Sequence, residues 1–325
     1  MALGVEGFRV GCWTDVEHHT GCTVVLAPEG ALGAAAVRGG APGTREAAAL
    51  GAIGTIQQCH AIALSGGSAF GLATADGVVA WCEAHGIGYD KTVARIPIVG
   101  AAIVFDLRSA DAPRPGRDAG WAACEAATDD DPPMGSVGVG AGCTVGKTAG
   151  LEWGVKGGQG WAVVSDGGVS VGALVAVNPL GDIVDERGEI LAGSRAPAGT
   201  VRFPAIGPPA APPVPEAEEA PGPQTGENTV IGCLVTDARL AKHEAVRAVD
   251  LSHSGIARAV RPAHTSYDGD ALFLLCAQRV DATVDLVAHL GAMAVERAIR
   301  EAVRHAEGMP GFPADPRARP DQAAG

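Results

Sequence analysis

The segment 204–226 (PAIGPPAAPPVPEAEEAPGPQTG) constrains this chain most strongly, because it holds eight of the 22 prolines of a 325-residue sequence. It offers almost no side chain that could anchor a core, so it predicts an extended, mobile linker. A linker of this length normally separates two domains. Only 97 residues follow Asn228, however, and they begin with an apolar strand pattern. We therefore expect the residues on both sides of the linker to share one core.

Small side chains dominate the rest of the sequence. Glycine accounts for 47 residues and apolar residues for 47% of the chain, whereas aromatic residues account for only 4%. This composition favours tightly packed layers. The net charge of −13 disfavours binding to nucleic acids and to anionic membranes. No basic start followed by an apolar run marks a secretion signal, and no apolar run approaches the ~20 residues of a membrane helix, so we expect a cytoplasmic protein.

The eight cysteines occur without a C-x-x-C pair and without histidine at metal-ligand spacing. Cysteines of this kind are typical of small, buried apolar side chains. The sequence therefore predicts neither a metal site nor a cofactor.

Secondary structure follows from the spacing of apolar residues, which alternates between strand and helix patterns. The turn Asp166-Gly167-Gly168 predicts a hairpin, because its glycines accept positive φ. Helices are predicted at Ala69–Ala84, Glu244–Leu251 and Val284–Ala306, of which the last carries a long apolar stripe. Strands are predicted at Cys22–Leu26, Ala61–Leu64, Ile96–Phe105, Gly135–Gly140, Trp161–Ser165, Val169–Asn178, Val230–Thr236 and Ala271–Ala277.

Thr229 stands where the linker meets an apolar strand, directly after Asn228. An N-terminal nucleophile hydrolase exposes its nucleophile at such a position by cutting itself. The threonine hydroxyl would attack the carbonyl of Asn228, the amide would become an ester, and water would release a new N-terminal threonine. Its α-amino group, with a pKa of ~8, could then serve as the local base. Taken alone, the pair is weak evidence, because threonine begins many strands.

Four segments resemble the L-aminopeptidase/D-esterase family, which includes the β-peptidyl aminopeptidases, over nearly the whole chain. They are Arg38–Glu46 (RGGAPGTRE), Leu64–Leu72 (LSGGSAFGL), the glycine-rich segment Gly138–Gly160, and Asn228–Gly232 (NTVIG). The resemblance implies a precursor that cleaves itself before a Ser or Thr. It also implies an α+β fold, a four-layer αββα sandwich to which both chains of the cleaved precursor contribute.

The predicted organisation is one shared catalytic domain. Cleavage would leave a longer chain of residues 1–228 and a shorter chain of residues 229–325, and residues 310–325 are expected to form a disordered tail.

The resemblance also implies further site residues. Asn178 matches the asparagine that stabilises the oxyanion, although an Asn before Pro also initiates turns. Asp268 and Asp270 fall where the family has a Ser-x-Glu pair, and they would hold the ammonium group of Thr229 and tune proton transfer. An Asp-Gly-Asp sequence is equally common in solvated turns. A tyrosine that helps some members bind the oxyanion falls near Ile103, which cannot donate a hydrogen bond.

The block Ser65-Gly66-Gly67-Ser68 connects a predicted strand to a predicted helix. It lacks the lysine and the spacing of a phosphate-binding loop. We expect a structural turn or a wall of the substrate pocket, with Ser68 able to cap the helix.

These features predict a self-processing hydrolase that releases N-terminal residues from small peptides, amides or esters and that assembles as a homo-oligomer of the two-chain unit. Two alternatives remain open. One is an acyltransferase of the ornithine acetyltransferase type, although those proteins cut at an Ala-Thr type of junction. The other is an oligomeric binding protein that never processes, in which the proline-rich segment is only a tether.

Overall fold

The computed structural model describes residues 1–201 and 228–319, so the predicted linker 204–226 lies outside the described residues. The helices are α1 Thr74–Ala84, α2 Arg117–Glu125, α3 Lys242–Ser252, α4 Ser254–Ala259 and α5 Val284–Arg304, with short 3-10 helices at Ala2–Gly4, Ser68–Ala73, Gly138–Gly140, Leu151–Trp153 and Pro316–Ala318. The strands are β1 Arg9–Asp15, β2 Thr20–Val37, β3 Thr44–Arg45, β4 Gln58–Ser65, β5 Tyr89–Asp90, β6 Arg95–Ile96, β7 Val99–Ile103, β8 Thr144–Val145, β9 Val155–Lys156, β10 Gly158–Asp166, β11 Val169–Asn178, β12 Asp182–Val184, β13 Ile190–Ala192, β14 Thr229–Arg239, β15 Val260–Arg261 and β16 Ala271–Asp281.

Nine strands form one mixed sheet in the order β10-β11-β14-β16-β2-β4-β7-β3, with β1 paired to β2. The long strand β2 divides this sheet into two halves at a register shift between Leu26 and Ala31. Its first part pairs with β1 and β4, and its last part pairs with β16. One half-sheet therefore contains β10, β11, β14 and β16, and the other contains β1, β4, β7 and β3.

Three separate apolar cores show how these half-sheets and the helices are layered. Helices α3 to α5 cover one half-sheet through residues such as Leu234 and Ile299. A central core joins the two half-sheets through residues such as Ile231 and Ile62. A third core lies between the second half-sheet and helices α1 and α2, around Val78. The order helix, sheet, sheet, helix is the predicted αββα sandwich.

The apolar strands fit this architecture because both of their faces are buried. Along β16, Leu272 and Leu274 belong to the helix-facing core, whereas Phe273 and Leu275 belong to the central core. This alternation follows from the two-residue period of a strand. The hairpin at Asp166-Gly167-Gly168 is also confirmed, since β10 and β11 pair in register around it.

Three predictions of local structure were wrong in whole or in part. Gly135–Gly140 is not a strand, because Gly135 and Gly138 have φ of +89° and +52° and the segment ends in a 3-10 helix. In the sheet, the strand predicted at Ile96–Phe105 covers only Val99–Ile103. The helix predicted at Ala69–Ala84 begins with a 3-10 helix, and α1 itself starts at Thr74.

The tail predicted to be disordered from residue 310 is ordered as far as residue 319. It forms a 3-10 helix at Pro316–Ala318, and Asp315 is buried in an ion pair with Arg317. A buried carboxylate requires a partner of opposite charge, so the ion pair with Arg317 holds this segment in place. Residues 320–325 lie outside the described residues.

Strands from both sides of the Asn228–Thr229 bond are neighbours in one sheet, because β14 pairs with β11 on one side and with β16 on the other. Within residues 1–201 and 228–319, no helix combines the length and apolar content that a bilayer crossing requires.

Candidate active site

Thr229 is the first residue of β14 and is buried, with 2% of its surface exposed. It lies opposite Asn178, the last residue of β11, in the antiparallel ladder. Its hydroxyl donates a hydrogen bond to the carbonyl oxygen of Asn228. The hydroxyl predicted to be the nucleophile therefore contacts the peptide group predicted to be cut.

The carbonyl of Asn228 has a second donor in the loop before β16. The backbone N–H of Gly269 donates to the same oxygen at 2.8 Å. A backbone N–H in this position polarises the carbonyl and stabilises the negative charge that develops when it is attacked. A side chain at this position would interfere, because a Cβ on Gly269 would lie 3.0 Å from the Thr229 hydroxyl oxygen and 2.7 Å from the carbonyl oxygen of Ala41.

Asp268 is completely buried and accepts hydrogen bonds through both carboxyl oxygens. Oδ2 accepts from the backbone N–H of Thr265 at 2.9 Å and from its hydroxyl at 2.6 Å. Oδ1 accepts from the N–H of Leu180 at 3.2 Å. Burial, reinforced by the charge of Asp270, raises the pKa of Asp268 above the ordinary value for a carboxyl. This carboxyl is thus suited to hold or to transfer a proton.

Asp270 binds the residue that follows the nucleophile. Its Oδ1 accepts from the N–H of Val230 at 2.7 Å. Its Oδ2 accepts from Nδ1 of His264 at 2.7 Å and from the backbone N–H of His264 at 3.2 Å. The structure therefore brings both predicted aspartates to the start of β14.

The side chain of Asn178 is fixed from both ends. Its Oδ1 accepts from the N–H of Thr144 at 2.8 Å and from the ammonium group of Lys147 at 3.2 Å. Its amide nitrogen donates to the carbonyl oxygen of Phe105 at 3.1 Å. Two donors on the oxygen decide which way the amide group points, so its N–H groups have a defined direction.

Lys147 is a site residue that sequence reasoning missed. Its side chain is buried, and its ammonium group donates to the carbonyl oxygen of Asn178 at 3.1 Å as well as to Oδ1. A buried ammonium group requires such acceptors. The available signal was the presence of two lysines, Lys147 and Lys156, within the glycine-rich segment Gly138–Gly160, where the sequence offers no solvated helix face for them.

The glycines at Gly39 and Gly40 let the chain lie directly against the loop that carries the two aspartates. The N–H groups of Arg38 and Gly39 donate to the carbonyl oxygen of Asp270 at 3.0 and 3.1 Å. A Cβ on Gly39 would lie 2.2 Å from the backbone nitrogen of Asp270. This block therefore supports the site from behind and holds the acidic loop in position.

The block Ser65-Gly66-Gly67-Ser68 forms a turn around the buried carboxylate of Asp106. The N–H of Gly67 donates to Asp106 at 2.6 Å, and a Cβ on Gly66 would lie 2.1 Å from its Oδ2. Ser68 does not cap a helix, because it has φ +53° and is itself the first residue of the 3-10 helix. Among the described residues the buried Ser65 hydroxyl has no hydrogen-bond partner. None of the hydrogen bonds found for this turn leads to Thr229.

Ile103 ends β7 and is buried with 5% exposure, so it supplies no donor to the site from its side chain. The donor seen on the carbonyl of Asn228 is the backbone of Gly269 instead. A backbone N–H can act where the family tyrosine is absent, because its direction is fixed by the fold.

The layered sandwich is the fold expected of an N-terminal nucleophile hydrolase, and Thr229 begins one of its central strands. The profile of Peptidase family S58 matches residues 3–316, and the chain belongs to this family. Family membership confirms the resemblance drawn from the four sequence segments and makes the chain a hydrolase of peptide or amide bonds.

Known relatives span most of the chain. An uncharacterized aminopeptidase of Mycobacterium leprae is 38% identical over 315 residues, which cover 90% of this chain and 84% of the relative. A 6-aminohexanoate-oligomer endohydrolase of Agromyces is 31% identical over 285 residues, which cover 86% and 76%. The structure of the L-aminopeptidase D-Ala-esterase/amidase of Ochrobactrum anthropi, described as a variant of the Ntn hydrolase fold, has a TM-score of 0.69 at 19% identity and covers 98% of this chain and 91% of that one.

Proposed function

We propose that the chain cleaves itself between Asn228 and Thr229 and then uses Thr229 to release N-terminal residues from small peptides, amides or esters. The observation that carries the proposal is the carbonyl of Asn228, which accepts from the hydroxyl of Thr229 on one side and from the N–H of Gly269 on the other. Nucleophile, target and charge-stabilising donor are in contact before any substrate binds.

In the processing step the hydroxyl oxygen of Thr229 forms a bond to the carbonyl carbon of Asn228. The negative charge develops on the oxygen that Gly269 already binds. The C–N bond then breaks, the nitrogen of Thr229 takes up a proton, and an ester remains. Asp268 is the proposed proton carrier, which takes the proton of the Thr229 hydroxyl and passes it to the departing nitrogen, because its raised pKa favours such a transfer. Water hydrolyses the ester and leaves a carboxylate at Asn228 and an amine at Thr229.

In the turnover step the new amine takes the proton of the Thr229 hydroxyl, which attacks the carbonyl of the substrate. Asn178 is proposed to stabilise the oxyanion through its amide N–H. Lys147 and Thr144 support this role, because they bind the amide oxygen and so fix the direction of the N–H groups. Asp268 and Asp270 are proposed to supply the negative charge that holds the ammonium group of Thr229. Water then releases the acyl group from the threonine.

The substrate class rests on the relatives as well as on the site. One relative is named an aminopeptidase and another an endohydrolase of 6-aminohexanoate oligomers, so both names describe amide hydrolysis. Family membership favours hydrolysis over acyl transfer. An assay that offers acetylornithine and glutamate separates the two reactions, since only an acyltransferase would form acetylglutamate.

Intact-mass measurement and denaturing electrophoresis test self-cleavage. We expect two chains that meet at the Asn228–Thr229 bond, and a single chain of 32.5 kDa for Thr229→Ala. Amide hydrolysis by Thr229→Ala should fall on the order of 10³-fold or more, because the nucleophile is lost. Thr229→Ser should still process, and Thr236→Ala, which removes a hydroxyl from the same strand, should process like the unaltered protein. Uncut, active unaltered protein would contradict the proposal.

Two sequence expectations stay predictions: assembly into a homo-oligomer of the two-chain unit and a cytoplasmic location. Size measurement by light scattering checks the first of these on the processed protein.

A further inference from the structure

His264 has an unusual backbone conformation beside the candidate site. Its φ is +56°, a backbone conformation that residues other than glycine seldom adopt. The conformation brings two donors of one residue to one oxygen, because the backbone N–H and the ring Nδ1 both face Oδ2 of Asp270, at 3.2 and 2.7 Å. Backbone strain of this kind persists where the surrounding structure enforces it, often at functional sites.

Both ring nitrogens of His264 face oxygen acceptors. Nδ1 faces the carboxylate of Asp270, and Nε2 lies 3.4 Å from the carbonyl oxygen of His253. A neutral imidazole can donate from only one of its nitrogens, whereas the imidazolium donates from both. The cation is therefore the form that satisfies the contacts on both sides of the ring.

The groups around His264 come from three parts of the chain. Asp270 and Asp268 belong to the acidic loop, Arg38 to the end of β2, and His253 to the junction of α3 and α4. Arg38 is itself paired with Asp250 at 2.8 Å. His253 packs edge-on against His264, with ring centroids 5.2 Å apart.

Effects of opposite sign act on the pKa of His264. Burial of His253 lowers its pKa to about 4, so it is neutral at neutral pH and adds no competing cation. Burial of His264 itself opposes its charge. The hydrogen bond and the negative charge of Asp270 outweigh that effect, and the pKa of His264 is raised.

We propose that His264, as the imidazolium, is a positioning residue that holds the Asp270 side chain directed at the N–H of Val230, and so fixes the backbone on which Thr229 reacts. The proposal rests on the proposed function of Thr229. It separates the roles of the two acids: His264 pairs with Asp270, which leaves Asp268 to interact with the ammonium group that forms when the amine of Thr229 takes up the hydroxyl proton.

The proposal has a consequence for the pH dependence of turnover. Turnover needs the Thr229 amine without its proton, so the rate first rises with pH. Above the pKa of His264 the imidazolium is lost, Asp270 loses its charged partner, and the rate should fall again. His264 therefore contributes the alkaline limb of the profile.

The experiment combines nuclear magnetic resonance with kinetics. In uncut Thr229→Ala protein labelled with ¹⁵N, the ring of His264 should carry protons on both nitrogens at neutral pH, and His264→Gln identifies its signal. In otherwise unaltered protein, His264→Gln should reduce kcat about tenfold, as expected when a charge-assisted hydrogen bond becomes a neutral one, and should remove the alkaline limb. His18→Gln is the matched control, because His18 pairs with Asp15 at 2.9 Å in an exposed turn, and its profile should match that of the unaltered protein.

A neutral His264 ring at neutral pH, or an unchanged alkaline limb in His264→Gln, would overturn the proposal. The resonance measurement is made on protein with the native histidine at position 264, uses His264→Gln only to assign the signal, and does not require activity. Failure of Thr229 chemistry and failure of the His264 proposal therefore give different results.

Discussion

Two turns of this protein are built from similar parts and differ in what they contact. The loop that contains Asp268 and Asp270 and the turn at Ser65–Ser68 both combine glycine with a buried carboxylate that accepts backbone N–H groups. The first contacts the peptide bond before Thr229 and the N–H after it. The second closes around Asp106 and Thr20. Both turns hold a buried carboxylate, so contact with the groups proposed to react is what separates the candidate site from a structural turn.

The largest difference is expected when each carboxylate is replaced by an amide. Asp270 accepts a hydrogen bond from Val230 on one oxygen and from His264 on the other. In Asp270→Asn an amide nitrogen replaces one of these oxygens, so its N–H groups would face a donor instead of accepting from it. Displacement of the Thr229 backbone should slow processing and turnover about 10²-fold. In Asp106→Asn the amide nitrogen can face the hydroxyl of Thr20, which turns to accept. Its rates should stay within about threefold of the unaltered protein, as judged by rates normalised to folded protein. Equal losses in both variants would remove the distinction between the two turns.

An intermediate effect is expected at the two buried lysines of the glycine-rich segment. Lys147→Met keeps the apolar stem but removes one of the donors to Oδ1 of Asn178, so kcat should fall about tenfold with little change in processing. Lys156→Met is the matched control, because Lys156 donates to the carbonyl oxygens of Gly140 and Gly157 at 2.8 and 3.0 Å. It should lower the free energy of unfolding by about 1–3 kcal/mol and leave kcat unchanged. Steady-state kinetics and chemical denaturation measure the two effects.

The smallest effect concerns stability and pH at Asp268. Its pKa in the folded protein lies above the unfolded value of 3.8, so the folded state binds more protons between these two values. The free energy of unfolding should therefore fall as pH rises through this window. Asp268→Asn should flatten that part of the curve. Burial also raises the pKa of Asp106, so Asp106→Asn should flatten the curve in the same direction. Denaturation midpoints at a series of acidic pH values would measure how the free energy of unfolding changes with pH. If this dependence is the same in Asp268→Asn as in the unaltered protein, the result counts against the raised pKa.

The sequence predicted the strands that are apolar on both faces, because burial from both sides leaves an unbroken apolar run, as in Val230–Thr236 and Ala271–Ala277. It failed at Gly135–Gly140, where valine and glycine alternate like a strand but positive φ at Gly135 and Gly138 bends the chain. The same uncertainty affected Ser65–Ser68, whose glycines fit either a pocket wall or a turn. A glycine in the sequence indicates that a side chain would not fit at that position. It does not indicate which neighbouring atoms occupy the volume.

By itself the sequence determined the family, the layered fold and the residue proposed as nucleophile, because these depend on contiguous segments whose pattern can be read along the chain. Only the tertiary structure decided which groups surround that residue. Lys147 reaches Asn178 from 31 positions away, and His264 reaches its two partners across a loop and a helix end. A hydrogen bond depends on distance and direction in space, and the pairing of β11, β14 and β16 brings the loops that carry these residues together.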